Sequence, residues 1–236
     1  RWVLRFERGR IIVWHDGLPF SARDVVGVTS IGQTTKRKDQ IGFFGVGFKS
    51  IYEVTDRPQV YSDTYRFEIA DISVPKSLRS RPTDLPADGT VLVLPLRDPA
   101  DPVRSAEALY RKAAGLDPCV LFTLKGIDVI DLTLETSEET ARWVITEQPV
   151  DERGRASIRM QPADETVHYA LQEETVTYTG GRRAAGRADR TTVMVGLRTG
   201  ADGLPIPLPA GLPTAYSYLP TDERTGLRFF VQAHFY

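Results

Sequence analysis

An α+β fold is predicted for this chain from three observations. Short segments of period-two hydrophobicity open it, two helix-start signals interrupt them, and beyond Pro118 the texture becomes a run of strands separated by turn residues. Its 236 residues suit one large domain or two small ones. A boundary near 113–120 divides them into a mixed domain, 1–115, and a strand-rich, incomplete one, 116–236.

Trp2, Leu4 and Phe6 alternate with more polar neighbours, a half-buried strand, and Arg8-Gly9-Arg10 turns the chain into a second strand at Ile11–Trp14. Ser21 and Asp24 have the spacing of a capping box, and Phe20 and Val25 that of a hydrophobic staple, so a helix starts at Ser21. Thr29–Gln40 reads as a polar loop. The apolar, glycine-studded stretch Phe43–Val54 reads as a helix stopped by Pro58. Strands follow at Gln59–Ser62, Tyr65–Ile69 and Val91–Leu94, with a proline-rich connection, Pro75–Pro86, between the last two. Asp101-Pro102 opens a helix to about Lys112. In the second part the predicted strands are Leu121–Leu124, Val129–Glu135, Trp143–Thr146, Val167–Tyr178, Thr192–Leu197, Ala215–Leu219 and Arg228–Tyr236. Both ends fall inside strands, so the sequence reads as cut from something longer.

Composition excludes several classes. A net charge of −1 gives no indication of nucleic acid or an anionic membrane as partner. No apolar run reaches the ~18 residues that span a bilayer. The single cysteine, Cys119, excludes a disulfide framework and fits a reducing, cytoplasmic compartment. His15, His168 and His234 are too scattered for a metal site, and the sequence contains no asparagine. The run Gly180–Arg187 is basic and reads as a solvated loop, with an anion-binding patch as the alternative.

Three motifs carry chemistry. Asp16-Gly17 ends a strand, and its carboxylate can accept a hydrogen bond from an exocyclic amine, although Asp-Gly is also a common turn. Gly42-Phe43-Phe44-Gly45-Val46-Gly47-Phe48-Lys49-Ser50 spaces its glycines so that backbone amides can approach a phosphate ahead of a helix; close helix packing is the structural alternative. It fits neither the Rossmann fingerprint, whose glycine order is reversed, nor the P-loop, because Phe48 separates Gly47 from Lys49. Asp88-Gly89-Thr90 sets a hydroxyl at the head of an apolar strand, where it can bond a base or simply end a turn.

In order and spacing these motifs resemble the GHKL (Bergerat-fold) ATPases, the superfamily of the ninety-kilodalton heat-shock chaperone, gyrase B subunits, MutL and sensor histidine kinases. His15–Phe20 looks like the first glycine box, Ile41–Ser50 the second, and Gly89-Thr90 the threonine motif. Gly45-Val46-Gly47-Phe48 with Ser50 is closer to the chaperone branch than to the kinases. The closer likeness is to sacsin-like proteins, through His15–Phe20, Ser30–Lys36, Phe44–Tyr52, Val54–Pro58 and the downstream Tyr216–Thr221 and Thr225–Phe229.

The resemblance implies a Bergerat-type two-layer α/β sandwich with a mixed sheet, followed by a transducer-like segment. It implies ATP as ligand, with adenine on Asp16 and Gly17, Thr90 beside it, and Thr34, Thr35 and Lys36 in a mobile lid. Gly42, Gly45, Val46, Gly47 and Phe48 would face the phosphates; Lys49 is either a further phosphate ligand or solvent-facing. The family's magnesium-ligating asparagine and water-activating glutamate sit on a helix ahead of the first glycine box. They are expected upstream of Arg1, so no catalytic or metal-ligating residue is assigned here and the chain as given is expected to be inactive; a degenerate relative is the alternative. The function implied is that of an ATP-driven conformational clamp in a chaperone-like protein, with ATP or ADP, an unidentified protein client and a second copy of the chain as partners. A non-hydrolysing interaction or scaffold module is the rival reading.

Overall fold

The computed structural model describes residues 1–30, 48–101, 105–124, 126–149, 154–177, 190–223 and 225–233. The chain divides into two compact units, Arg1–Gly115 with Ile130–Ala141, and Leu116–Val129 with Arg142–Tyr236. The excursion of 130–141 departs from the contiguous division the sequence suggests. Its cause is β7 (Val129–Leu134), which pairs in parallel with β1 (Trp2–Glu7), matching Leu4 to Leu132.

The first unit is a mixed sheet. From β7 and β1 it continues through β2 (Arg10–His15), β6 (Thr90–Pro95), β3 (Gln59–Ser62), β4 (Tyr65–Ala70) and β5 (Val74–Ser77), all antiparallel after the first pair. β5, fully exposed at the edge, overlaps the start of the expected proline-rich connection; Pro75 and Lys76 discourage further strand addition there.

Register decides which residues share a face. Phe6 opposes Ile11, Ile11 opposes Leu94, and Leu92 opposes Val60, so these lie on one side. The helical segments cover that side. α1 (Ala22–Thr29) brings Val25 and Val28, and a 3-10 helix (Phe48–Glu53) brings Phe48 and Tyr52, against Val60, Phe67 and Ile69. α2 (Ala106–Ala114) sets Tyr110 edge-on to Phe6, ring centroids 5.6 Å apart. The opposite face, with Ile12, Tyr61, Val91 and Val93, is covered by Leu78 and Leu85 of the proline-rich segment instead of a helix. The two-layer expectation thus holds in part: short helical segments line one face of a strand-dominated unit.

The predicted capping box is present. Ser21 Oγ accepts from the Asp24 N–H at 3.3 Å, and Asp24 Oδ2 accepts from the Ser21 N–H at 2.8 Å. α2 has Ser105 as its N-cap, its Oγ accepting from the Ala108 N–H at 3.2 Å; the predicted opening at Pro102 lies outside the described residues.

The second unit is antiparallel for most of its length: β8 (Glu139–Glu147), which carries the chain in from the first unit, then β9 (Arg155–Gln161), β10 (Glu165–Thr177), β11 (Arg190–Thr199) and β14 (Phe230–Gln232). β12 (Ala215–Ser217) adds in parallel to β14, and β13 (Leu219–Pro220) pairs with β12. Leu121–Leu124, expected as a strand, is instead the core of a one-turn helix, α3 (Val120–Thr123), every residue of which is buried. A four-residue apolar run suits a buried helical turn as well as a strand, and Asp117-Pro118 starts the turn, with Asp117 Oδ1 accepting from the Cys119 N–H at 2.8 Å.

Candidate nucleotide site at the strand ends of the first unit

Two of the three motifs meet where β2 ends and β6 begins. His15 and Thr90 are register partners, and Ser62, the last residue of β3, pairs with Thr90 from the other side. Thr90 is fully buried, and its Oγ1 lies 2.6 Å from Ser62 Oγ. Ser62 Oγ also accepts from the Phe20 N–H at 2.8 Å. A chain of hydrogen bonds therefore runs from the end of the first glycine box, through Ser62, to the threonine.

Gly89 is required here by geometry. It has φ +65°, and a Cβ would lie 2.5 Å from His15 O and 2.6 Å from Trp14 Nε1. The same indole nitrogen donates to Asp88 O at 2.9 Å, holding the turn against β2. The close approach of this turn is what brings Thr90 into register with His15.

Asp16 and Gly17 are exposed. One side of the Asp16 carboxylate therefore faces solvent, where a ligand edge could approach. His15 stacks on Trp2 at 5.9 Å, and its Nδ1 accepts from the Gly17 N–H at 3.1 Å. Burial pushes the imidazole pKa down, partly opposed by the Asp16 charge.

Lys49 is engaged by the backbone rather than facing solvent. Its Nζ donates to Val28 O at 2.8 Å and to Ile72 O at 2.7 Å, and sits 5.5 Å from the centroid of the Tyr52 ring. The ammonium ties the end of α1 to the turn after β4, and burial lowers its pKa. Phe48 packs inward on the β3–β4 cluster. Thr34, Thr35, Lys36, Gly42, Gly45, Val46 and Gly47 lie outside the described residues. Ser62 was not foreseen as a site residue; a serine closing an apolar strand gives no sequence signal of its partner.

Of the downstream Tyr216–Thr221 segment, Tyr216 and Tyr218 belong to the second unit's core. Tyr216 is buried and receives the Cys119 thiol at 3.3 Å, and Thr123 Oγ1 donates to Tyr218 O.

Comparison with known proteins bears on the same region. The family model for the Sacsin domain matches residues 7–85. Protein NO VEIN of Arabidopsis thaliana is 28% identical over 124 residues, which is 52% of this chain and only 4% of that protein. Among solved structures the chain is similar to the 43K ATPase domain of Thermus thermophilus gyrase B in complex with an aminocoumarin, at 13% identity and TM-score 0.42, covering 93% of this chain and 55% of that one. It is also similar to the N-terminal domain of a DNA repair protein, at 11% identity and TM-score 0.43, covering 98% and 77%. The likeness to the sacsin domain, carried by His15–Phe20 and the segments up to Pro58, is thus shown over residues 7–85.

Proposed function

We propose that the first unit is an ATP-binding module of GHKL type, and that in a longer, chaperone-like cytoplasmic protein ATP binding and hydrolysis drive a conformational clamp. The observation that carries this reading is the convergence of His15-Asp16-Gly17, Ser62 and Gly89-Thr90 at one sheet end, with the Sacsin-domain match spanning most of them.

The residues present suit an adenine edge. In this reading the exposed face of Asp16 accepts the exocyclic amine beside Gly17, and the Ser62–Thr90 pair supplies a fixed hydroxyl network next to the ring. From the sequence, Gly42, Gly45, Val46, Gly47 and Phe48 offer amides to the phosphates, and Thr34, Thr35 and Lys36 belong to the lid. Lys49, engaged by two carbonyls, braces the site. Magnesium is the proposed companion of the nucleotide's phosphates. The glutamate and asparagine that complete the family's chemistry are proposed upstream of Arg1. ATP and ADP, a protein client and a second copy of the chain are the proposed partners.

The commitment of Lys49 to backbone favours a second reading, a module that keeps the fold and binds without hydrolysis. Titration calorimetry with ATP and ADP on a chain extended upstream separates the two from each other and from no binding. Asp16→Asn is expected to weaken ATP at least about tenfold, the value of a lost charged hydrogen bond, with circular dichroism unchanged. Equal affinity would remove Asp16 from the pocket.

A further inference from the structure

The second unit carries a surface strap that plays no part in the reading above. It follows β11 and runs Leu204-Pro205-Ile206-Pro207-Leu208-Pro209. Proline fixes its own φ at about −65° and pushes the residue before it toward extended backbone, so the alternation restricts every position to a polyproline-like course.

Such a course has about three residues per turn, which gives the strap three edges. Pro205 shares an edge with Leu208, Leu204 with Pro207, and Ile206 with Pro209. The first edge faces the unit itself: Pro205 bridges to Thr199, and Leu208 is 3% exposed. The other two edges carry exposed residues, with Leu204 at 65% and Ile206 at 45%.

Hydrogen bonding along the strap is one-sided. Its three prolines have no N–H, and the other three N–H groups are already engaged. Leu204 donates to Asp202 Oδ1 at 3.0 Å, Ile206 to Arg198 O at 2.8 Å and Leu208 to Arg228 O at 2.9 Å. The backbone of 204–209 can therefore offer a partner carbonyl oxygen alone. Strand addition, which needs donors and acceptors in alternation, is closed to it. A partner must bring donors and apolar faces together, which is the chemistry of tryptophan and tyrosine rings. We propose that residues 204–209 dock into the aromatic-lined groove of a partner protein, its rings packing on Leu204, Ile206 and Pro207 and its ring N–H or O–H groups donating to strap carbonyls. The strap is tethered and its course preset, so little chain entropy is lost on docking.

Titration calorimetry of the protein with an SH3, a WW and an EVH1 domain tests this, each beside a variant whose groove tryptophan is replaced by alanine. Saturable binding is expected with at least one domain, lost in its groove variant and competed by free oligoproline. Leu204→Ser combined with Ile206→Ser should weaken it at least about tenfold, since two apolar contacts are removed. Pro207→Ala should weaken it several-fold by adding an N–H and loosening the strap, and Asp16→Asn should leave it unchanged. All three strap positions are exposed, so circular dichroism should not change, and either strap variant can be read alone if the other misfolds. Absence of saturable heat with all three domains up to millimolar concentration, equal binding by the groove variants, or full affinity in both strap variants would overturn the assignment. Self-association that sedimentation shows to be lost in the double variant would overturn it too, because a second copy would then cover the strap.

Discussion

In the first unit the buried hydroxyls of Ser62 and Thr90 stand at strand ends, one hydrogen bond from the exposed run that starts at Asp16. In the second, a buried polar cluster lies in the interior: Asp117 Oδ1 accepts from Tyr169 Oη at 3.0 Å, and the Cys119 thiol meets Tyr216 Oη. Around it the rings of Phe122, Tyr169, Phe230 and Tyr216 form an edge-to-face chain with centroids 5.5–6.0 Å apart. Burial drives the Tyr169, Tyr216 and Cys119 pKa values up, so all three stay protonated as donors. The difference separates two uses of buried polarity. Enclosed by rings and satisfied internally, it specifies a core; set at strand ends beside an open carboxylate, it can receive a ligand.

The largest effect tests the enclosed cluster. Phe230 is fully buried and touches both tyrosine rings. Phe230→Ala should cost about 3–5 kcal/mol in denaturant unfolding while leaving nucleotide affinity unchanged. A cost under about 1 kcal/mol would mean that the ring chain does not hold the second unit's core. Gly196→Ala attacks the same ring from the other side, since a Cβ there would lie 2.1 Å from Phe230. It should cost about 1–3 kcal/mol through overpacking, and pairing it with Phe230→Leu should recover part of that loss.

Thr90→Val tests the open cluster. It keeps the shape of the buried side chain and deletes the hydroxyl, so Ser62 loses one partner and retains the Phe20 N–H. Stability should fall by only about 1 kcal/mol, whereas ATP affinity in the upstream-extended protein should fall several-fold. The opposite pattern, a large loss of stability with affinity intact, would make the Ser62–Thr90 pair a core feature like that of the second unit.

The sequence revealed what is local. The capping box of α1 needs only Ser21 and Asp24, and β1, β2 and β6 announce themselves by apolar alternation or runs. Missing elements have physical reasons. β9 alternates in sequence, Ala156, Ile158 and Met160 against Arg155, Ser157 and Arg159, but a small alanine, a flexible methionine and a serine that is itself buried weaken the signal. β5 carries a proline, which argues against a strand except at an edge, and an edge is where it lies. Of the site, Asp16, Gly17 and Thr90 could be named because glycine and threonine flag the turn. Ser62 could not, because its partnership with Thr90 is a product of β3–β6 register.

The smallest effect concerns His15, the register partner of Thr90, and is a dependence on pH. Its ring lies against Trp2, its Nδ1 accepts from the Gly17 N–H, and the Asp16 carboxylate faces it. Burial holds the folded pKa below the ordinary 6.5, so between the two values the unfolded chain binds more protons. The stability contributed is therefore complete above pH 6.5 and is eroded as the pH falls through that value toward the folded pKa. Protonating Nδ1 would also break the bond to Gly17, since an imidazolium has no acceptor, and the first glycine box would lose the contact that positions its turn. In His15→Phe the stacking on Trp2 remains and the titration is gone. The stability of the natural protein relative to this variant should decline between pH 7.5 and pH 5, and ATP affinity should decline with it in the natural chain only. A difference that stays flat across that range would show His15 to be as open to water in the folded chain as in the unfolded one, and would leave the exposed Asp16 without a fixed neighbour on that side.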